Sequence, residues 1–507
     1  MTLSKHGIRL ICLLCVCALL TGCGASEKAG SGATLPPAPR QTGAPENDAE
    51  QTYSQSVALY LPSRDGTRLL AVPETAELSL NRPTAQTLSE LLLSHPGTET
   101  AAPLGGDVAL RLSDTEAVEV SGRVATVSLG ASALRLSHEE LFTVGQALAN
   151  TLCQFGDLEY VNVLIAGVQP GLDIAATLPA GCFQRNTQES LGTLWARASA
   201  QKTASRRAFT AALYYPAAAG KGILCEARTL ALTDLDAPAL IRALLSALSA
   251  GPEALPAAPS YPDLTAQLSA EPEVREEGGQ RRAVLQFSEE LNQQLIGAGI
   301  TRSVMAASLV TTLTTFIPGL DGVEMTIGTE KIVSLTPSGT LLRAGETLFF
   351  SDGLMKRGDF SFFLLDYATL YFADGDGKLQ RVSRPVPYYA AANVRALVDQ
   401  WIAGPQSYDS PAGLSPVAPQ GLRDADLLGA AYKRGVLLLN FSAQLQALSQ
   451  GMDAAQERLM IYSLVNTLCA LRGVTRVALF VMGEQPDSLA GAVYLPGEFL
   501  PNLDLAH

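Results

Sequence analysis

The sequence contains little of what metal enzymes and nucleic-acid binders usually need. It has only four histidines and two tryptophans among 507 residues, and aromatic residues make up 6% of the chain. The formal net charge is -13 and the pI is about 4.9, so nucleic-acid phosphates and anionic lipid headgroups would repel the surface. We therefore expect no nucleic-acid partner and no His-rich metal site.

Sequence motifs of the common enzyme classes are also missing. There is no Gly-x-Ser-x-Gly elbow, Walker loop or His-Glu-x-x-His segment, and the cysteines beyond residue 23 have no zinc-type spacing. His138 and His507 have no counterparts in the repeats described below. We predict no catalytic residue, no metal ligand and no cofactor, so the protein is not expected to be an enzyme. A catalytic group confined to one repeat is the remaining alternative.

Apolar residues, by contrast, are plentiful. Hydrophobic residues make up 47% of the chain and charged residues 17%, which is enough to fill several cores and excludes a chain disordered throughout. At roughly 150 residues per domain, the length suggests about three domains.

The N-terminus has the pattern of an export signal. Lys5 and Arg9 precede an apolar run over residues 10–20, which is too short to span a membrane. The run ends in Leu20-Thr21-Gly22-Cys23, which resembles the bacterial lipobox. That resemblance implies that Cys23 is acylated and holds the mature protein at the extracytoplasmic face of the cell membrane. A plain secretory signal with a chance cysteine is the alternative.

Four further cysteines lie beyond Cys23, and none has Cys-x-x-Cys spacing. They are expected to be buried free thiols, while a disulfide formed after export between Cys153 and Cys182 is the alternative. The stretch up to Thr52 is rich in Gly, Ala, Ser and Pro without hydrophobic periodicity, which predicts a flexible tether.

Three segments of the chain repeat the same landmarks in the same order. Each has a threonine–leucine pair in a helical pattern, a glycine that closes a later apolar run, and a serine that ends an earlier strand pattern. The threonines are Thr151, Thr312 and Thr467, the glycines Gly167, Gly328 and Gly483, and the serines Ser128, Ser288 and Ser442. This ordered repetition indicates one structural unit present three times.

The helix that carries each threonine has an apolar stripe, in which Leu148, Leu309 and Leu464 are equivalent. Its start is marked by capping signals, which are Ser137 with Glu140, Thr301 alone, and Asp453 with Gln456. We expect each threonine hydroxyl to bond back to the carbonyl four residues earlier, rather than to bind a ligand.

An earlier helix in each unit is followed by a proline. Gly251 and Gly404 are expected to end this helix in the left-handed conformation, and His95 takes the same place in the first unit. His95 is therefore predicted to be a helix cap and not a metal ligand. The pairs Glu139-Glu140 and Glu289-Glu290 could form acid–base dyads, but their position near helix starts favours solvated charges.

Strand patterns complete each unit in the order β-α-β-β-α-β, which predicts an α+β fold of tandem small domains, each a small sheet with two helices packed on one face. The stretch 184–207 is basic, which favours a mobile hinge over an anion site. The predicted organisation is a lipoprotein signal peptide at 1–22, lipid anchor and flexible tether at 23–52, domain 1 at 53–185, basic linker at 186–207, domain 2 at 208–340, connector at 341–363 and domain 3 at 364–507.

The repeated unit resembles the GerMN domain of sporulation and spore-germination lipoproteins. The matching features are the Tyr60-Leu61-Pro62 and Tyr214-Tyr215-Pro216 openings, the helix exit at Gly-Pro, the Phe287-Ser288 and Phe441-Ser442 strand ends, and the threonine–leucine helices. Members of this family typically carry two such domains, and the third copy here is a departure.

The resemblance implies a non-catalytic, membrane-anchored adaptor that scaffolds an envelope or intermembrane-space protein complex in Gram-positive spore formers. It also implies protein partners and the formation of a homo-oligomer. A lipoprotein that binds cell-wall glycan or peptide is the alternative, although the low aromatic content argues against a glycan site. A transporter's binding lipoprotein would need two lobes around one cleft, and three tandem units do not supply them.

Overall fold

The structure, a computed structural model, describes residues 43–49, 51–255, 258–338, 341–343 and 345–506. Among these residues no single helix is both long and apolar enough to cross a membrane, although one bent helix pair passes that test jointly. Cys23 and the predicted signal peptide lie outside the described residues, so lipidation remains a prediction.

The first repeat opens with a long antiparallel hairpin, and a mixed sheet and two helices follow. Its elements are β1 (Thr52–Pro62), β2 (Leu69–Ser79), α1 (Thr84–Ser94), β3 (Val118–Ser121), β4 (Val124–Leu129), α2 (His138–Leu152), β5 (Tyr160–Ile165) and β6 (Phe183–Gln184). Helix α3 (Leu191–Ala200) then leads to the second repeat.

The second repeat has the same order with one further short helix. Its elements are β7 (Arg207–Pro216), β8 (Ile223–Leu232), α4 (Ala237–Ser249), β9 (Glu273–Glu277), β10 (Gln280–Phe287), α5 (Glu290–Gly297), α6 (Arg302–Phe316), β11 (Gly322–Ile327) and β12 (Glu330–Lys331). The short strands β13 (Ser334–Leu335) and β14 (Leu348–Phe349) pair with each other before a 3-10 segment at Arg357–Phe363.

The third repeat again begins with a hairpin and ends with a strand parallel to its neighbour. Its elements are β15 (Leu365–Ala373), β16 (Leu379–Pro387), α7 (Val394–Ala403), β17 (Leu427–Lys433), β18 (Val436–Phe441), α8 (Ala443–Ser449), α9 (Ala454–Cys469) and β19 (Arg476–Val481).

The α+β class is confirmed, and each unit has a strand beyond those that the sequence indicated. β2, β8 and β16 each pair antiparallel with the strand before them. This strand is hard to recognise from sequence because, in the first repeat, it is mostly exposed and contains a proline, so it lacks a regular apolar alternation.

A central parallel pair characterises the mixed sheet of every repeat. β4 pairs with β5, β10 with β11 and β18 with β19, and in each case a long helix makes the crossover. These long helices, α2, α6 and α9, contact both the hairpin and the sheet of their own repeat. The predicted stripe residues Leu148, Leu309 and Leu464 are buried there, as expected.

The helix-start predictions are confirmed. Ser137 and Glu140 form a complete capping box at α2, Asp453 and Gln456 form another at α9, and Thr301 caps α6 alone. Gly251 and Gly404 have the positive φ that was expected, at 76° and 70°. His95 caps α1, but its φ of -68° is extended, so the left-handed conformation predicted for it is wrong.

The landmark serines are not all equivalent. Ser288 and Ser442 follow the last residues of β10 and β18, whereas Ser128 lies inside β4, one residue before its end. Its hydroxyl accepts a hydrogen bond from the N–H of Gly167 at 3.0 Å, as the amide oxygen of Asn440 does from Gly483 at 2.9 Å. The first serine therefore corresponds to an asparagine of the third repeat.

The end of the predicted tether is ordered and lies on the third repeat. Asp48 forms an ion pair with Arg395 and accepts the N–H of Ala430, at 2.8 and 3.0 Å. The carbonyl of Pro45 accepts from the side chain of Asn440 at 2.9 Å. A Cβ at Gly429 would lie 2.6 Å from the backbone of Asn47, so this approach needs glycine. The flexible tether predicted for residues 23–52 therefore does not extend to its C-terminal end.

Candidate functional site at the junction of the three repeats

Each shared threonine joins its helix to the hairpin of the same repeat. The hydroxyls of Thr151, Thr312 and Thr467 accept hydrogen bonds from the backbone N–H groups of Tyr60, Tyr214 and Tyr371, at 3.0, 3.1 and 3.2 Å. All three threonines are fully buried. The structural role predicted for them therefore holds, but the expected partner, a carbonyl four residues earlier, is wrong.

In two repeats, a serine one helical turn before the threonine adds a second hydrogen bond between the helix and the hairpin. Ser463 donates to the carbonyl of Tyr371 at 2.5 Å, and Ser308 donates to the carbonyl of Tyr214. The first repeat has Ala147 at the equivalent position. These hydroxyls form hydrogen bonds with backbone groups at the edge of the hairpin, where no neighbouring strand is available to pair with them. The helix can therefore lie against that edge.

A charged residue on the second strand of each hairpin reaches the end of the first helix. Arg228 donates to the carbonyl of Gly251 at 2.7 Å, and Arg384 donates to that of Gly404 at 2.8 Å. Both arginines therefore place a cation where the helix dipole favours one. In the first repeat the equivalent residue is Glu74, which lies 3.3 Å from His95. A Glu–His pair thus replaces the arginine and the glycine together.

Strand ends from all three repeats meet at one point. The hydroxyl of Ser121 donates to the carbonyl of Leu365 at 2.5 Å and accepts from the N–H of Cys225 at 3.0 Å. A Cβ on the adjacent Gly122 would lie 2.5 Å from the carbonyl oxygen of Cys225. One buried hydroxyl therefore bridges three repeats, and only glycine fits beside it.

A buried ion pair lies next to this junction. Arg357, in the 3-10 segment before the third repeat, pairs with Glu119 of the first repeat and donates to the Tyr214 hydroxyl of the second at 3.2 Å. Burial alone would lower the pKa of Arg357, but the charge of Glu119, the interaction with Tyr214 and the hydrogen bonds to both residues together outweigh burial, and the pKa is raised. Burial also raises the pKa of Tyr214. At neutral pH the arginine is charged and the phenol is neutral.

A cleft of about 620 Å³ opens at the junction and has walls from each repeat. Its charged and aromatic lining residues are Arg123, Asp157, Glu159 and Tyr160 from the first repeat, Glu226 from the second, and Asp366, Tyr367 and Arg381 from the third. Its size lies in the range of ordinary ligand pockets.

Asp366 is the most perturbed acid of this cleft. The residue as a whole is partly exposed, and its carboxylate accepts a hydrogen bond from the N–H of Gly122 at 3.0 Å. Desolvation raises the pKa of this carboxyl to about 7, because the neighbouring backbone N–H groups only partly offset it. Perturbed carboxyls in clefts are typical of functional sites.

The four remaining cysteines are free thiols, as expected, so the alternative disulfide between Cys153 and Cys182 is not formed. Burial raises the pKa of Cys153, Cys182 and Cys469 to about 12, and that of Cys225 is raised well above its ordinary value. Thiols that stay protonated are poor nucleophiles and metal ligands.

Both acidic pairs lie at helix starts. Glu140 belongs to the capping box of α2, and Glu290 is the first residue of α5, where a backbone N–H lowers its pKa. Within the described ranges, no group of three or more His, Cys, Asp or Glu side chains is placed to hold a metal ion.

The basic linker is a helix and not a mobile hinge. In α3, Trp195 packs against the ring of Phe142, with centroids 5.5 Å apart. Two of its basic side chains form ion pairs within the protein. Arg197 pairs with Glu189, and Lys202 pairs with Asp173 of the first repeat. This helix therefore fixes the linker to the first repeat.

Sequence reasoning did not identify Arg357 or Asp366, although one signal for Arg357 was available. The residue before each shared threonine is Asn150, Thr311 or Asn466. Both asparagines hold the backbone of a residue 36 positions later, through hydrogen bonds of 2.8–3.1 Å. Thr311 has no amide, and its carbonyl instead accepts from Arg357 at 3.3 Å. The threonine in place of asparagine thus distinguishes the second repeat from the other two at the level of sequence.

Three solved structures are similar to the chain. The tandem GerMN domains of the sporulation protein GerM from Bacillus subtilis are 16% identical, with a TM-score of 0.22, over 59% of this chain and 99% of that one. A putative lipoprotein from Clostridium perfringens is 18% identical, with a TM-score of 0.19, over 27% and 87%. The first GerMN domain of the same GerM is 20% identical, with a TM-score of 0.18, over 27% and 97%. No curated protein sequence matches the chain.

The sequence model of the Germane family, described as sporulation and spore germination, matches residues 212–332 and 369–487. These ranges cover the hairpin, helices and mixed sheet of the second and third repeats, and the first repeat has the same order of elements. Germane is not a known enzyme family. The second and third repeats are therefore similar to the Germane family of sporulation and spore germination proteins.

Proposed function

We propose that this protein is a non-catalytic lipoprotein adaptor at the extracytoplasmic face of the cell membrane, where it scaffolds a protein complex in sporulation or germination. The observation that carries the proposal is the polar joint at Ser121 and Arg357, which fastens three Germane-type repeats to one another. An adaptor needs fixed spacing between its binding faces, and buried hydrogen bonds between repeats supply it. The lipobox-like sequence supplies the anchor.

The ordered N-terminal segment bears on how such an adaptor would be oriented. Residues 44–49 lie on the third repeat, although the first repeat follows them directly in sequence. Ala49 donates to the carbonyl of Ala430 at 3.0 Å, and Arg395 holds Asp48 through two bonds of 2.8 and 3.0 Å. The stretch of chain that would lead back to an anchor at Cys23 therefore begins at a segment bound to the third repeat.

The anchor is tested by Cys23→Ala in sporulating cells. We expect the variant to lose metabolic lipid label, to leave the membrane fraction and to fail to restore function to a deletion strain. Cys469→Ala is the matched control, since that thiol is free and not at the N-terminus. Lipid label that persists in Cys23→Ala, or full function without label, would overturn the anchored adaptor.

The orientation is tested with fluorophores on each repeat and a quencher in the lipid. The full-length lipidated protein in vesicles should show the strongest quenching from the third repeat. Asp48→Ala should reduce that difference, because it removes the ion pair with Arg395 and the acceptor for Ala430. Equal quenching of all three repeats in the unaltered protein would contradict the proposed orientation.

A second candidate function is recognition of a cell-wall peptide by the same lipoprotein. The junction cleft favours it, because its volume of about 620 Å³ and its mixed lining suit a small ligand better than a flat protein surface.

A further inference from the structure

Residues 44–49 are held on the third repeat by contacts of the kind that bind a peptide. Arg395 donates two hydrogen bonds to the carboxylate of Asp48, at 2.8 and 3.0 Å, and the N–H of Ala430 donates another at 3.0 Å. The side chain of Asn440 donates to the carbonyl of Pro45 at 2.9 Å. A backbone carbonyl and a carboxylate three residues later are thus both recognised, with a bend at residues 46–47 between them.

Arg395 receives its carboxylate from outside its own repeat. Arg242 occupies the equivalent position of the second repeat, counted from the glycine that follows the helix, and its Nε donates to the carboxylate of Glu271 at 2.7 Å. At the position of Glu271 the third repeat has Ala430, counted from the leucine that pairs with the strand-end phenylalanine. The third repeat therefore has the arginine without the acid, and Asp48 of the N-terminal segment supplies the missing charge.

The third repeat also leaves room for the backbone of a second segment. A Cβ on Gly429 would lie 2.6 Å from the backbone nitrogen and oxygen of Asn47. Gly429 does not have a positive φ, so the close approach of the segment requires glycine here and the conformation of β17 does not. The first two repeats have Asp114 and Ala270 at this position, by the same count. Of the three repeats, only the third has a glycine at this position.

The segment covers an apolar face but buries little hydrocarbon of its own. The outer face of the third sheet has a buried cluster of four residues, which are Val436, Leu438, Ala478 and Phe480. Of the segment, Ala44 packs against this cluster. The corresponding face of the first repeat is covered by the second repeat, where the hydroxyls of Thr126 and Tyr214 lie 3.3 Å apart. Because so small an apolar contact contributes little free energy, the segment can exchange with a competitor.

We propose that this surface of the third repeat is a recognition groove for a short acidic peptide segment, with proline three residues before aspartate, on a partner protein. Residues 44–49 occupy the groove in cis, and the partner's segment replaces them. The segment of a second copy is a poor occupant, because it leads directly into β1, which packs on the third repeat of its own chain through Tyr53 and Tyr432. The inference goes beyond the adaptor function and depends on neither the lipid anchor nor the junction cleft.

The test is saturation-transfer NMR of the peptide Gly-Ala-Pro-Glu-Asn-Asp-Ala, the sequence of residues 43–49, with the full-length protein in detergent. The linked segment competes at an effective concentration in the millimolar range, so the unaltered protein should bind the peptide weakly. Asp48→Ala weakens the cis segment and should tighten peptide binding at least about tenfold. A second peptide with alanine in place of aspartate should bind this variant about tenfold more weakly. Adding Arg395→Gln should abolish the preference between the two peptides.

The matched control adds Arg242→Gln to Asp48→Ala, which removes the equivalent arginine of the second repeat, and the peptide preference should persist. Thermal unfolding of each variant checks that the fold is retained. The proposal is overturned if Asp48→Ala shows no binding at about 10 mM peptide, or if it binds both peptides equally. It is also overturned if the preference survives Arg395→Gln, or if the unaltered protein binds the peptide as tightly as Asp48→Ala does.

Discussion

Arg357 pairs with Glu119 across the boundary between the connector and the first repeat, and both side chains are buried. The arginine also donates to Tyr214 and to the carbonyl of Thr311, so one guanidinium touches groups from two repeats. Charges are costly to bury unless they are paired and hydrogen-bonded. The pair therefore holds the repeats in one relative position more than it adds to net stability.

Replacing Arg357 with Leu should destabilise the protein by about 3–5 kcal/mol, because Glu119 would remain buried without a cation. The double substitution with Glu119→Leu should recover much of that loss. Urea denaturation monitored by circular dichroism measures both. Arg242→Ala is the control, since its pair with Glu271 is exposed and its loss should cost below about 1 kcal/mol. Equal effects of Arg357→Leu and Arg242→Ala would show that burial does not matter here.

Replacing the shared threonine with valine should cost about 1–3 kcal/mol in the second repeat, since the buried N–H of Tyr214 would lose its acceptor. Thr314→Val in the same helix is the matched control. That hydroxyl donates to the carbonyl of Val310 at 2.7 Å within the helix, so its loss should cost less. Differential scanning calorimetry compares the stability of the two variants. A larger loss of stability for Thr314→Val would contradict the role of the shared threonine in joining the helix to the hairpin.

Truncation of the equivalent core leucines should cost about 2–5 kcal/mol each, because Leu148, Leu309 and Leu464 are buried in the helix that faces hairpin and sheet. The exposed Leu134, 68% accessible, provides the comparison, and its replacement by Ala should change stability by less than about 0.5 kcal/mol. Denaturation midpoints of the variants measure these changes in stability. Losses below about 0.5 kcal/mol at all three positions would mean that the helix face is misassigned.

Stability should depend on pH through Asp366. Its pKa is raised from 3.8 to about 7, so the folded chain holds this proton more tightly than the unfolded chain. Asp366 therefore contributes most to folding stability at a pH below the pKa that it has in the unfolded chain. That contribution falls as the pH rises to about 7. Asp366→Asn removes this dependence.

At pH 8 the asparagine variant should be more stable than the unaltered protein by about 1–3 kcal/mol, and the gap should shrink as the pH is lowered toward 4. Urea midpoints across that pH range measure the gap. Asp376→Asn should show no such trend, since this acid is exposed at a turn. A gap for Asp366→Asn that stays constant with pH would contradict the raised pKa.

The sequence by itself determined the local features of this protein. The repeat of threonine, leucine and glycine located the long helices, and capping pairs such as Ser137 with Glu140 marked where they begin. Burial of Leu148 and its equivalents followed from helical spacing alone. These features depend on residues close together in the chain, so periodicity and capping patterns are enough to predict them.

Only the tertiary structure decided how distant segments meet. Thr151 is 91 residues from Tyr60, and Arg357 is 238 residues from Glu119, so no local pattern connects them. The docking of Asp48 on Arg395, 347 residues away, likewise ordered a stretch whose composition predicted a flexible tether. Such contacts depend on shape and on the satisfaction of buried polar groups, which a chain acquires only when its repeats pack together.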